Sequence, residues 1–296
     1  MKKLVWAVEL TAIFVFSLPL LLLPLKAGEY LGLAAHALWS SRRRIAIENV
    51  RASIAAGALS STLRPEDVVR DFFRHLGRSI LELVNIYCGF GRRIISTAEI
   101  RGVEHYYQAK AAGRGLMFLT GHCGNWELVA ILSSVHLEPF SVVARRQNNP
   151  YINRLVELVR GRFGNAVIYK KGALKKIILA LKKNGAVGIL MDQAVVPEEG
   201  YIIDFLGRPA WTMKIPALIG RKTGTAILPS FIHREGNRHI VTVHAPVVLS
   251  GGNDNEQAIM QDTKRLTVFV EDYIRAHPEQ WLWIHRRWKR AGKEQI

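Results

Sequence analysis

Cysteine is nearly absent. The 296 residues contain only Cys88 and Cys123. Two thiols cannot make a disulfide framework, and their scarcity fits a reducing compartment. Acidic residues are also scarce: 24 Asp+Glu face 41 Lys+Arg, for a net charge of +17 and a pI near 10.2. Such an imbalance asks for an anionic partner, whether nucleic acid, an anionic membrane surface, or an acidic protein or substrate. No helix-turn-helix, zinc-finger or RNA-binding signature is present, which argues against nucleic acid. There is no HExxH for a zinc site. There is no repeat at solenoid spacing, no low-complexity tract and no Pro/Gly/Ser linker between the front and the back of the chain. With 49% hydrophobic residues, the chain reads as one large domain with an appendage.

The appendage is at the N-terminus. After Lys2-Lys3, an apolar run extends from Leu4 to Leu25, with only Glu9, Thr11 and Ser17 clearly polar. Its length meets the roughly 20 residues that cross a bilayer. It exceeds the roughly 7–15 residue apolar region of a signal peptide, and Leu25-Lys26-Ala27 is a poor cleavage site. A retained anchor is therefore expected over residues 1–40. Pro19 and Pro24 interrupt it, a second apolar stretch runs from Tyr30 to Trp39, and Arg42-Arg43-Arg44 follows. A single span, a re-entrant hairpin and an interfacial helix all remain open, with the arginines favouring a cytoplasmic domain after them.

Residues 41–100 read as a helical extension packed with the rest as one unit. Arg44 to Leu59 has helical periodicity. Pro65 opens a stronger helix with Glu66 and Asp67 at its positive end, and an apolar stripe of Val68, Phe72, Leu76, Ile80 and Leu83. Over residues 101–296 short apolar runs alternate with amphipathic segments. Residues 115–120, 140–144, 166–169 and 186–191 predict buried strands. Trp126 to Val135, Tyr151 to Arg160 and Ala173 to Lys183 predict the helices between them. This alternation means βαβ units and a mixed, largely parallel sheet flanked by helices, an α/β class. A later hairpin around Arg234-Glu235-Gly236-Asn237 and a helix from Ala258 to Ala276 close the pattern.

LTGHCGNWELVA, residues 119–130, carries the chemistry. On one continuous helix His122 and Glu127 would lie about 140° apart. A strand ending at Thr120, a turn through Gly121 and Gly124, and a helix capped by Asn125 remove that obstacle. His122 then sits at the carboxyl end of a strand, where open α/β sheets bind ligands. Glu127 falls in the first helical turn, within reach of the imidazole. A carboxylate on one ring nitrogen would leave the other as a base for a hydroxyl. Spacing alone favours a merely capped turn over a catalytic pair. A metal site has too few ligands, and a Cys123–His122 dyad fails because adjacent side chains diverge.

The surrounding residues resemble a known family. Gly102 to Ala130, RRQNNP at 145–150, GRFG at 161–164, MDQ at 191–193, residues 205–229 and PEQWLWIHRRWK at 278–289 occur in an order similar to the bacterial lipid A biosynthesis acyltransferases of the lauroyl/myristoyl type. That family belongs to a wider group with an H-x4-D/E motif, here His122 to Glu127. The resemblance implies a helix-flanked mixed sheet on the cytoplasmic face of the bacterial inner membrane. It implies an acyl-acyl carrier protein donor, a glycolipid hydroxyl as acceptor, and no cofactor or metal. It makes His122 the general base and Glu127 its orienting partner, and marks Arg162 and Asp192 as further site residues. Asp192 is expected to pair with a cation such as Arg162, which would serve the oxyanion or a phosphate; a purely structural ion pair is the competing reading. Other acceptors stay open: an ornithine lipid, a phosphatidylinositol mannoside or a lysophospholipid.

Two basic stretches remain. Leu282 to Lys293 mixes Trp283 and Trp288 with Arg286, Arg287, Lys289, Arg290 and Lys293. It suits anionic headgroups, an acidic carrier protein, or solvent. Lys170-Lys171, Lys175-Lys176 and Lys182-Lys183 suit a carrier-protein dock or a solvated face equally well.

Overall fold

The N-terminal apolar run does not make one helix. The computed structural model describes residues 2–253, 255–289 and 291; Arg290 and Lys293 of the basic tail lie outside them. Helix α1 (Lys2–Ser17) ends before Pro19, which opens a short 3-10 turn (Pro19–Leu22), and a separate helix α2 (Ala27–Leu38) starts after Pro24. Proline has no N–H to continue a helical ladder. Sixteen residues reach only about 24 Å, short of the roughly 30 Å hydrocarbon core. Among the described residues no helix is long and apolar enough to cross a membrane. The single-span expectation therefore fails at Pro19.

Helices α3 (Ser40–Ala55) and α4 (Pro65–Tyr87) follow, then the short α5 (Arg92–Ser96). Glycine sets the contact between α2 and α4. A Cβ on Gly32 would lie 1.9 Å from the Phe73 carbonyl oxygen, and one on Gly77 would lie 2.2 Å from that of Gly28. The two backbones therefore touch where side chains would hold them apart. This contact turns the rear of α4 away from the expected stripe. Ile80 is 49% exposed, while Arg78, Ser79, Leu81 and Glu82 are buried.

The remaining elements are β1 (Glu99–Arg101), α6 (Val103–Ala111), β2 (Leu116–Thr120), α7 (Trp126–His136), β3 (Ser141–Ala144), α8 (Pro150–Arg162), β4 (Ala166–Tyr169), α9 (Ala173–Lys182), β5 (Ala186–Leu190), β6 (Gly200–Phe205), β7 (Arg208–Met213), α10 (Ile215–Thr223), β8 (Ala226–Glu235), β9 (Arg238–Val243) and α11 (Glu256–Ala276). Seven strands form one sheet in the order β1-β9-β8-β2-β5-β3-β4. All its pairs are parallel except the β8–β9 hairpin. The mixed, mostly parallel α/β class is thus present. The β6–β7 hairpin is a separate antiparallel pair that periodicity did not announce.

The sheet is covered on both faces, as the continuous apolar runs require. Alternate residues of β2 go opposite ways: Leu116 and Phe118 join Tyr106, Leu128 and Leu132, whereas Met117 and Leu119 join Val69, Phe73, Ile177 and Leu266. The front helices α3 and α4 thus contribute to the same core as the sheet. The chain's last described segment also enters this core, with Trp281 and Trp283 almost fully buried.

Candidate active site

Register places the site. In the β2–β5 pair Thr120 lies opposite Leu190, so His122 and Asp192 each emerge two residues past matched strand ends. They meet although 70 positions separate them: His122 Nδ1 lies 2.8 Å from Asp192 Oδ1. The backbone N–H of His122 donates to Asp192 Oδ2 at 2.9 Å, and Trp281 Nε1–H donates to the same oxygen at 2.9 Å. The turn is tightened by Gly124, whose φ is +52° and where a Cβ would lie 2.3 Å from the Ile232 carbonyl oxygen.

The partners fix the electrostatics. Burial alone would raise the Asp192 carboxyl, but the charge and hydrogen bonds of His122, with the Trp281 N–H, hold it down at about 2. Burial alone would lower His122, but the Asp192 carboxylate, with a smaller contribution from Glu127, raises it above the ordinary imidazole value. An ionised Asp192 can only accept. The neutral ring therefore carries its proton on Nδ1 and leaves Nε2 as the basic nitrogen. Gln193 Nε2 sits 3.2 Å from it, and Trp126 stands edge-on to the ring at 5.1 Å between centroids.

His122 opens onto a cleft of about 210 Å³ at the carboxyl ends of β2, β5, β3 and β4. Val142, Val143, Val167, Leu190 and Val195 give it apolar walls; Arg145, Arg160, Lys170 and Gln193 supply donors. Such a cleft admits a flexible apolar chain and a polar reacting group together.

The expected partnerships differ in three ways. Glu127 lines the cleft but makes no hydrogen bond to the imidazole; its two oxygens lie 3.0 and 3.2 Å from Arg160 Nη2. The position foreseen for Glu127 belongs to Asp192, because strand register outranks closeness in sequence. Asp192 does not pair with Arg162. That arginine is exposed, bonds the Tyr87 carbonyl at 3.3 Å and borders a separate depression with Gly89 and Phe163. Arg160 and Arg162 stand about 200° apart on a helix, so only Arg160 faces the cleft. Third, Asn125 starts α7 without a side-chain cap bond; its amide reaches back to Glu82 Oε2 at 3.0 Å on α4. Cys123 is fully buried, and burial together with the Asp192 charge pushes its thiol well above the usual range. It is a packed, inactive thiol.

The family profile described as bacterial lipid A biosynthesis acyltransferase matches residues 2–290. The chain belongs to that family. An Escherichia coli lipid A biosynthesis lauroyltransferase is 28% identical over 261 residues, 87% of this chain and 83% of that one. A Haemophilus influenzae lipid A biosynthesis acyltransferase is 22% identical over 223 residues, 74% of this chain and 68% of that one. A Mycobacterium tuberculosis phosphatidylinositol mannoside acyltransferase is 25% identical over 192 residues, 64% and 59% of the two chains. The protein is thus an acyltransferase of the lipid A biosynthesis family.

For this acyltransferase, sequence reasoning missed Arg160, Gln193 and Trp281. Arg160 stands two residues before the arginine that was chosen, and helix phase was the signal that separates them. Gln193 is the last residue of MDQ, one step past a residue already singled out. Trp281 left no local signal, since it returns to Asp192 from 89 positions away.

Proposed function

We propose that the protein transfers a fatty acyl chain from an acyl-acyl carrier protein thioester to a hydroxyl of a lipid A precursor. The observation that carries this reading is His122, held at Nδ1 by an ionised Asp192 and presenting Nε2 to a cleft that mixes apolar walls with cationic donors. Nε2 takes the proton of the acceptor hydroxyl, and the oxygen attacks the thioester carbonyl. Gln193 and Arg160 are the nearby donors for the oxyanion. The C–S bond then breaks, and the proton on Nε2 passes to the leaving thiolate. Glu127 holds the Arg160 guanidinium in place through both of its oxygens.

The setting we propose is the cytoplasmic face of a bacterial inner membrane, reached without a span. Val5, Val8, Val15, Leu18 and Leu22 are exposed along α1 and the turn after it, Leu22 at 88%, and Arg42, Arg43 and Arg44 follow α2. Apolar side chains flanked by arginines suit a helix lying in an anionic lipid interface. The same positive excess suits the acidic carrier protein. A phosphatidylinositol mannoside acceptor is the second reading, favoured by the mycobacterial relatives named for it.

The test is to incubate purified protein in detergent with acyl-carrier proteins of several chain lengths and a panel of hydroxyl-bearing glycolipids, alongside His122→Ala, and identify products by mass spectrometry. Acylated product from the wild type and its loss in the variant are expected. No transfer to any hydroxyl acceptor overturns the function, and undiminished transfer by His122→Ala overturns the mechanism.

A further inference from the structure

A second concave site lies away from the cleft. A depression of about 560 Å³ is lined by Ser41, Arg44, Glu48, Arg208, Arg286, Trp288 and Lys289, among others. It gathers residues from α3, the start of β7 and the C-terminal segment. Four cationic side chains line it against one carboxylate, that of Glu48.

Charge excess on a surface is ordinary; desolvated, unpaired charge is not. Arg208 stacks 4.3 Å over the Trp288 ring. Its Nη1 is buried without a hydrogen-bond partner. Burial alone lowers its pKa, with no carboxylate opposing the shift. Beside it Arg287, 1% exposed, stacks 4.6 Å from the Phe205 ring; among the described residues it bonds Trp211 O and Thr212 Oγ1, and burial lowers it to about 10 against the weaker pull of the Asp192 and Glu271 charges. Phe205 and Trp288 are themselves 6.0 Å apart, so a fully buried and a half-buried guanidinium each stack on one of two neighbouring rings. Among the described residues neither arginine has an ion-pair partner, and neither do Arg44, Arg286 or Lys289.

We infer that this depression is a binding site for a phosphate monoester. A doubly charged phosphate matches the excess of cations, and planar guanidinium forks match its oxygens. Stacking on Trp288 holds Arg208 ready before a ligand arrives, which reduces the entropy lost on binding. The volume exceeds what a bare phosphate fills, so there is room for the group that bears it. Arg208 and Met213 are the two ends of β7, and Met213 lines the cleft. At about 3.3 Å per residue the two sites lie roughly 17 Å apart along that strand. The inference stands on this cluster alone and does not require the proposed reaction.

The test has two arms, one for each source of the phosphate. In the first, inorganic phosphate is titrated at constant ionic strength and the unfolding midpoint is followed. In the second, the protein is sedimented with phosphatidylcholine vesicles containing either phosphatidic acid, a monoester, or phosphatidylglycerol, a diester. The variants are Arg208→Met, Arg286→Gln and, as a charge-matched control, Arg93→Met. A phosphate-dependent rise in midpoint assigns the site to free phosphate; preference for phosphatidic acid without such a rise assigns it to a lipid headgroup. In either case Arg208→Met is expected to weaken binding about tenfold, the scale of a charged hydrogen bond, and Arg93→Met to leave it unchanged. Without ligand, Arg208→Met should melt no lower than the wild type, because it removes an uncompensated cation; this separates a binding role from a structural one. Binding equally weakened by Arg93→Met, binding unaffected by Arg208→Met, or no response in either arm overturns the inference.

Discussion

Two histidine–carboxylate pairs with buried carboxylates lie within one fold, and their histidines shift in opposite directions. His122 on Asp192 is raised above its ordinary value; His239 on Glu82 is lowered. The hydrogen bonds are alike, 2.8 Å from Nδ1 in the first pair and 2.9 Å from Nε2 in the second. Both carboxylates resist burial and are held at about 2 by their partners. The company they keep differs. Glu82 takes both arms of Arg234, the amide of Asn125 and, at 3.6 Å, Arg78. Burial first, then the Arg234 and Arg78 charges, outweigh what Glu82 gives His239. Asp192 has no arginine bonded to it; Arg287 feels its charge only from a distance, and His122 takes its direct contact. A histidine–carboxylate contact thus leaves the imidazole raised at one place and lowered at the other, where burial together with the competing cations outweighs the carboxylate.

The comparison can be broken from either end. The largest effect is expected at His122: alanine there should cut acyl transfer by about a thousandfold or more, the upper range for a lost general base, measured under saturating donor. Asp192→Asn should come close to it, about a hundredfold to a thousandfold, because the ring loses its fixed tautomer. The pH profile gives the sign. The base works only when neutral, so wild-type kcat/KM should rise with pH through an inflection above the ordinary imidazole value of about 6.5. Asp192→Asn should move that inflection down. At the other pair, Glu82→Ala should cost about 3–5 kcal/mol of stability in a denaturant titration, since it strands buried Arg234 and Arg78. Trp281→Phe, which removes one donor from Asp192, should slow transfer about tenfold with little change in KM. Smallest of all, Arg162→Ala should change activity less than about twofold, whereas Arg160→Ala, which removes the cation held by Glu127, should cost tenfold or more; equal losses would erase the distinction between the two faces of α8.

Much of this was legible in the sequence. Apolar runs located β2, β3, β4 and β5 within a residue or two; β2 and β5 are buried on both faces and have no polar alternation to blur them, and the more exposed β3 and β4 are still apolar throughout or nearly so. His122 could be placed at a strand end from its neighbours alone. Asp192 could be placed at one too, after the 186–191 run, but its pairing with His122 could not. Which strand lies beside β2 is a property of sheet order, and β5 is separated from it by two other strands along the chain. Glu82 was hidden for a related reason. It lies in a helix whose expected apolar stripe ran through Ile80, and only the close glycine contact with α2 and the β8–β9 hairpin turn its own side inward. The β6–β7 hairpin mixes polar and apolar residues without clear alternation, so it escaped notice together with the Arg208 pocket at its end.

The central claim is that Asp192, and not Glu127, governs His122. Nitrogen NMR of the His122 ring across a pH titration, in the wild type, Asp192→Asn and Glu127→Gln, tests it directly. The account predicts an Nδ1–H tautomer titrating above the ordinary histidine range, a clear downward shift and loss of that tautomer in Asp192→Asn, and a smaller downward shift with the tautomer kept in Glu127→Gln. A His122 that ignores Asp192→Asn and responds to Glu127→Gln would contradict it.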